Sequence, residues 1–226
     1  MSRLLLKSHS DPATSKAYAD CFALLTKHYY DQGSRKSLTK AYKGLVNKLL
    51  AGRVLAGSGL NSKFLQNVFE KCPALAWSLH DQILKCFLPK EGEGKKESGS
   101  RSNHQRLQAM DLYQLLIMVA RTDAEAKTEL ASKLELLSGV TCKVVEASDS
   151  WQQKKVKKTG TCIGLFAKAA KTLLQQSEGA PIDFDRQIVT ESGLKLIKAI
   201  EVATEKDKTM SNLKGKSKEI KKLIQM

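Results

Sequence analysis

Residues that start helices punctuate this chain at long, similar intervals. Asp11 (followed by Pro12), Asn61, Asn103 and Ser150 each precede a run in which apolar side chains recur at i, i+3, i+4 and i+7, and they stand 50, 42 and 47 residues apart. Asp, Asn and Ser cap helices because their short side chains accept hydrogen bonds from the first backbone N–H groups, which have no partner inside the helix. Proline is tolerated just behind the cap, where no donor is needed. Intervals of this length hold two helices and a turn.

A helix pair cannot bury its apolar face alone, so pairs that recur at roughly 40–47 residues must stack on one another. The sequence therefore predicts an all-α, HEAT/armadillo-like stack of antiparallel helix pairs with a basic C-terminal tail. Such stacks offer extended binding surfaces rather than reaction pockets. The predicted organisation is a helical-repeat domain over 1–204, with a flexible insert at about 90–102, and a lysine-rich tail over 205–226.

The first predicted helix runs Pro12–Asp31 and turns Ala17, Tyr18, Cys21, Phe22, Leu24, Leu25, His28 and Tyr29 inward. Gly33 and Ser34 break it. A second helix buries Leu38, Ala41, Tyr42, Leu45, Val46, Leu49 and Leu50, which closes a hairpin whose outer surface carries Lys16, Lys27, Arg35, Lys36, Lys40, Lys43 and Lys48. Phe64, Leu65, Val68 and Phe69 mark a short helix that stops at Cys72-Pro73, because a residue before proline is driven out of helical geometry. Pro73 then opens a helix predicted to reach Leu88.

Residues 90–102 are glycine, serine and charged side chains, too polar to offset their ordering entropy by burial. Beyond them Leu107, Met110, Tyr113, Leu116 and Ile117 form the next apolar face, and Thr122 with Glu125 forms a capping-box pattern ahead of Ala126, Leu130, Leu134 and Leu137. Val140, Cys142 and Val144 alternate as in a strand, but a lone strand has no sheet to join. A kinked helix is predicted there. Val156, Ile163, Phe166 and Ala170 supply one further helix, and Ile188, Val189, Leu194, Ile197 and Ile200 another.

Charge sets the class of partner. Lys and Arg number 38 against 23 Asp and Glu, a formal net charge of +15, which favours polyanions such as nucleic acid or acidic proteins. Two runs concentrate it: Lys154, Lys155, Lys157 and Lys158, and Lys214, Lys216, Lys218, Lys221 and Lys222. These nine lysines are the candidate nucleic-acid or import-signal residues. A solvated helix face is the competing account for both runs. For the tail there are two specific readings: an extended basic peptide open to an import receptor, or an amphipathic helix in which Met210, Leu213, Ile220, Leu223 and Ile224 cap the last exposed face.

Catalytic patterns are missing from the sequence. His9, His28, His80 and His104 show no metal-ligand spacing, and the glycines at 57–59 and at 92 and 94 lack the lysine and helix of a phosphate-binding loop. Asp183 and Asp185 are the candidate carboxylate pair for holding metals, and capping and the helix dipole at a helix start account for them. The chain is expected to be no enzyme and to take no cofactor or metal. Five widely spaced cysteines without a CxxC, and no apolar run near the ~20 residues that cross a bilayer, predict a soluble intracellular protein without a membrane partner.

The stretch CFALLTKHYY on an early helix, then KFLQNVFEKCPALAW leading into a leucine-rich helix and a polar insert, resembles the C-terminal helical region of the Myb-binding protein/DNA polymerase phi family. The match covers mainly residues 15–88, with Phe69, Cys72, Pro73 and Trp77 among its features. The resemblance implies a large HEAT-like protein of nucleus and nucleolus that acts in ribosomal RNA gene transcription, ribosome production and the co-regulation of transcription factors. This chain would be its last portion. Nuclear proteins are then the partners, with DNA or RNA as a further nonspecific one, and the polymerase in the family's name finds no carboxylate pair here to carry it. The alternative function is a cytoplasmic helical adaptor whose lysines only keep it soluble.

Overall fold

A computed structural model describes residues 12–50, 62–88, 99–147, 153–175, 182–206 and 211–225. The described residues contain helices and no strand. The helices are α1 (Pro12–Asp31), α2 (Arg35–Leu50), α3 (Ser62–Lys71), α4 (Pro73–Trp77), α5 (His80–Lys85), α6 (Gly99–Val119), α7 (Ala124–Glu146), α8 (Gln153–Leu174), α9 (Ile182–Lys206) and α10 (Leu213–Ile224). The chain divides into two compact units, residues 1–119 and 120–226.

In the first unit, α1 and α2 form the predicted hairpin. Gly33 takes φ +94°, a left-handed conformation that costs glycine little and other residues more, and it turns the chain in three residues. Thr26 Oγ1 and Tyr42 Oη share a buried hydrogen bond of 2.8 Å across the pair. Helix α3 lies antiparallel to α1, with Phe22 edge-on to Phe64 at 6.0 Å and Asn67 Nδ2 donating to Asp20 Oδ1 at 2.9 Å. Phe64, Leu65, Val68 and Phe69 are all buried, and the chain leaves helical geometry at Cys72, φ −136° and ψ 71°, as the following proline requires.

The helix predicted from Pro73 to Leu88 is instead two short ones. Ser78 Oγ donates to the Leu75 carbonyl at 2.6 Å, and the Leu79 N–H bonds back to Ala76, three residues away rather than four. This tightened turn re-aims α5 so that Leu79, His80, Ile83 and Leu84 are all buried. Helix α6 runs antiparallel to α5, and Tyr113, Met110, Leu112 and Leu116 join Phe69, Phe87 and Leu75 among the fully buried side chains.

Several sequence expectations fail here for local reasons. On α1 the inward residues are Ala23 and Thr26, with Phe22 half-buried, whereas Tyr18, Leu24, Leu25 and Tyr29 are 44%, 56%, 41% and 54% exposed. The helix is apolar around most of its circumference, so periodicity alone does not choose the covered arc. Asn103 lies within α6 and is no cap, since the helix already begins at Gly99. The caps assigned to Asp11, Asn61 and Ser150, and residues 90–98 of the insert, lie outside the described residues, while 99–102, expected in the flexible insert, form the first turn of α6.

In the second unit, the cap of α7 is Asp123, not Thr122: its Oδ1 accepts from the Ala126 N–H at 2.8 Å, and Glu125 falls in the first turn. Helix α7 continues unbroken to Glu146, so Val140, Cys142 and Val144 are helical. Helix α8 runs antiparallel to α7, and α9 runs parallel to α7. Thr141 Oγ1 lies 3.4 Å from Cys162 Sγ, Ser138 Oγ donates to the Ser192 carbonyl at 2.8 Å, and Lys195 Nζ meets Glu135 at 2.6 Å. Leu130, Leu134, Leu137, Ile163, Phe166, Leu196 and Ile200 fill the interior, while Leu194, expected inside, is 54% exposed.

The lysine-rich segment is a helix from Leu213 to Ile224, packed against α8 and α9 with Leu213, Ser217 and Ile220 buried. It seats over Gly193: a Cβ there would lie 2.7 Å from Ile224 Cγ2 and 3.3 Å from Ile220 Cγ2. Only glycine leaves room for that approach.

Candidate nucleic-acid interface

Helix α2 carries Arg35, Lys36, Lys40, Lys43 and Lys48 and no acidic residue. Its inward face is fixed by Tyr42, Val46, Leu49 and Leu50, all buried. At 3.6 residues per turn this places Lys36, Lys40 and Lys43 within about 60° of arc on one side, spread over about 10 Å of helix. All three are exposed, and among the described residues none forms an ion pair. Asn47 continues the row, and Gln82 Nε2 from α5 donates to both Asn47 Oδ1 at 2.7 Å and the Lys43 carbonyl at 2.9 Å. That double bond braces the carboxyl-terminal half of α2. Arg35 is held differently, with its guanidinium 5.4 Å from the centre of the Tyr30 ring.

A second row lies on α10. The burial of Leu213 and Ile220 turns Lys214, Lys218, Lys221 and Lys222 to the opposite side, and all four are exposed. Lys221 is drawn to Glu201 of α9 at 2.7 Å, and Lys216, off the row, pairs with Glu219 at 2.8 Å. Lys214, Lys218 and Lys222, one turn apart from each other, form no ion pair among the described residues.

The run Lys154, Lys155, Lys157 and Lys158 is helical in its backbone, at the start of α8, but its side chains lie outside the described residues. Asp183 and Asp185 fall in the first turn of α9; burial holds the Asp185 carboxyl above its ordinary value, with Lys127 working the other way. No group of three His, Cys, Asp or Glu among the described residues is placed to hold a metal ion, and no described helix is long and apolar enough to cross a membrane.

One polar cluster is buried rather than exposed. The His80 ring, 1% exposed, has Nδ1 3.0 Å from Asp81 Oδ1 and Nε2 3.0 Å from Tyr113 Oη, and stacks on Trp77 at 5.6 Å. An ionised carboxylate only accepts, so Nδ1 carries the proton, and in the neutral ring Nε2 accepts from the tyrosine hydroxyl. The cluster ties α5 to α6.

No protein-family model, curated protein or solved structure matches this chain. The row on α2 was visible in the sequence as a basic outer face but not as a site. The signal for it is the complete lack of acidic residues across 35–50 beside a regular four- and three-residue lysine spacing.

Proposed function

We propose that the chain is a HEAT/armadillo-like scaffold of the nucleus and nucleolus whose basic helix faces hold nucleic acid while other surfaces engage transcription or ribosome-biogenesis factors. The antiparallel packing of α1 with α2 and α3, and of α7 with α8, supports a stack of helix pairs. The resemblance of residues 15–88 to the Myb-binding protein/DNA polymerase phi family supports the nucleolar setting.

The observation that carries the nucleic-acid part is the α2 row, three exposed lysines without an acidic neighbour on their helix. Lysines one turn apart neutralise successive phosphates and release condensed counterions, which drives binding without reading sequence. The one aromatic of α2, Tyr42, is buried, so base stacking contributes nothing from this helix.

Fluorescence anisotropy with a labelled duplex of about 20 base pairs, titrated over a salt series, tests this. Replacing Lys36, Lys40 and Lys43 together by Gln weakens binding and lowers the salt slope by about one per lysine. An unchanged affinity and slope would sink the assignment to α2. The same measurement on Lys214, Lys218 and Lys222, and on Lys154, Lys155, Lys157 and Lys158, ranks the three runs.

A further inference from the structure

Helix α1 has two apolar arcs and the first unit covers only one. The arc holding Phe22, Ala23, Thr26 and Tyr30 faces α2 and α3. The other holds Tyr18, Cys21, Leu24, Leu25, His28 and Tyr29, all exposed, and spans about 140° of the helix circumference. Its four large apolar side chains are 41–56% exposed and present a patch on the order of 400 Å², as large as monomers ordinarily show.

We propose that this face binds a second copy of the chain, with the two α1 helices antiparallel across a twofold axis that passes between Ala23 and Leu24. The evidence is a self-complementary order of residues about that midpoint. Tyr18 and Tyr29 are equidistant from it, so each tyrosine meets the partner's other tyrosine. Asp20 and Lys27, of opposite charge, are equidistant as well, and they border the exposed arc on the same side.

In an antiparallel pair related by such an axis, like borders face each other, and any contact between two residues occurs twice. Asp20 therefore meets the partner's Lys27, and Lys27 the partner's Asp20. Both groups are available: among the described residues Lys27 pairs with Asp31 of its own helix at 2.8 Å, more than half exposed at both ends, and the Asp20 carboxylate accepts one bond from Asn67 with capacity for more. In a parallel pair unlike borders would meet, so Asp20 and Lys27 would face the tyrosine border of the partner and find no charge there. The charges thus choose the direction, and the tyrosines the register. Two such patches bury on the order of 800 Å², below the roughly 1,200 Å² of stable complexes, so the dimer is weak and reversible.

The test is sedimentation of the full chain over a concentration series, with reductant present so that Cys21 cannot cross-link. The wild type is expected to pass from monomer to dimer as concentration rises. Leu25→Glu, at an exposed position, is expected to weaken dimerisation at least ~10-fold while leaving the circular dichroism unchanged. Asp20→Lys and Lys27→Glu singly each place two like-charged pairs in the interface and weaken it several-fold, and the double variant Asp20→Lys/Lys27→Glu restores both pairs with their signs exchanged. A chain that stays monomeric at every concentration overturns the proposal. So does a dimer indifferent to Leu25→Glu, and so do two single charge reversals whose effects add in the double variant instead of cancelling.

Discussion

The two units treat their terminal amphipathic helices in opposite ways. At the start of the first, α1 leaves Tyr18, Leu24, Leu25 and Tyr29 in solvent, whereas at the end of the second, α10 sends Leu213 and Ile220 inside against α8 and α9. Yet α10 is the more highly charged helix, with five lysines in twelve residues. Composition therefore does not decide which helix docks. A narrow apolar stripe opposite a charged face leaves α10 one way to pack, and the small residue at Gly193 lets it approach closely. The broad apolar circumference of α1 leaves a surplus after its neighbours are satisfied.

The contrast is testable by substitution. The largest losses belong to the interiors: Phe166→Ala in the second unit and Phe69→Ala in the first each remove a fully buried ring and are expected to cost about 3–5 kcal/mol in denaturant unfolding. A sharper comparison pairs Ile220→Ala, at 0% exposure on the docked helix, with Leu25→Ala on the undocked arc. The first should cost about 2–5 kcal/mol and the second, measured below the dimerisation range, no more than about 0.5 kcal/mol. Equal losses would break the contrast.

Gly193→Ala comes next. Its new methyl collides with Ile224, and over-packing of this kind costs about 1–3 kcal/mol, read as a lower melting temperature. Asp123→Ala removes the hydrogen bond to the Ala126 N–H and should cost about 0.5–2 kcal/mol; the same change at Thr122 should do less. Smallest is Lys221→Gln. Its bond to Glu201 is about half exposed at both ends, so the loss is expected at or below about 1 kcal/mol and should shrink further in high salt. If Lys221→Gln matched Ile220→Ala, charge rather than apolar burial would be holding α10 in place.

Helix positions were largely legible in the sequence because the signals were local. Cys72-Pro73 stops α3 through backbone sterics, and the apolar spacing of α7 carried it past Val140, Cys142 and Val144 without need of a sheet. What the sequence did not show depends on neighbours. The covered arc of α1 is set by where α2 and α3 lie, and the break at Ser78 by a hydroxyl that competes for a backbone carbonyl. Asp123 wins over Thr122 as cap, and Leu194 lies outward because Ser192, two residues earlier, is bonded from Ser138. Of the candidate site, the lysines were readable one by one; their grouping on α2 needed Tyr42 and Val46 to fix which way the helix faces.

The trapped imidazole of His80 also gives the first unit a built-in spectroscopic reporter. A ring proton held on Nδ1 against a carboxylate, in a ring almost wholly shielded from water, is expected to give a proton resonance downfield of the amides. Because the same ring leans on Trp77 and on Tyr113, the signal persists only while α4, α5 and α6 keep their mutual placement. One resonance, without any label, thus follows the integrity of the helices that brace the α2 lysine row through Gln82.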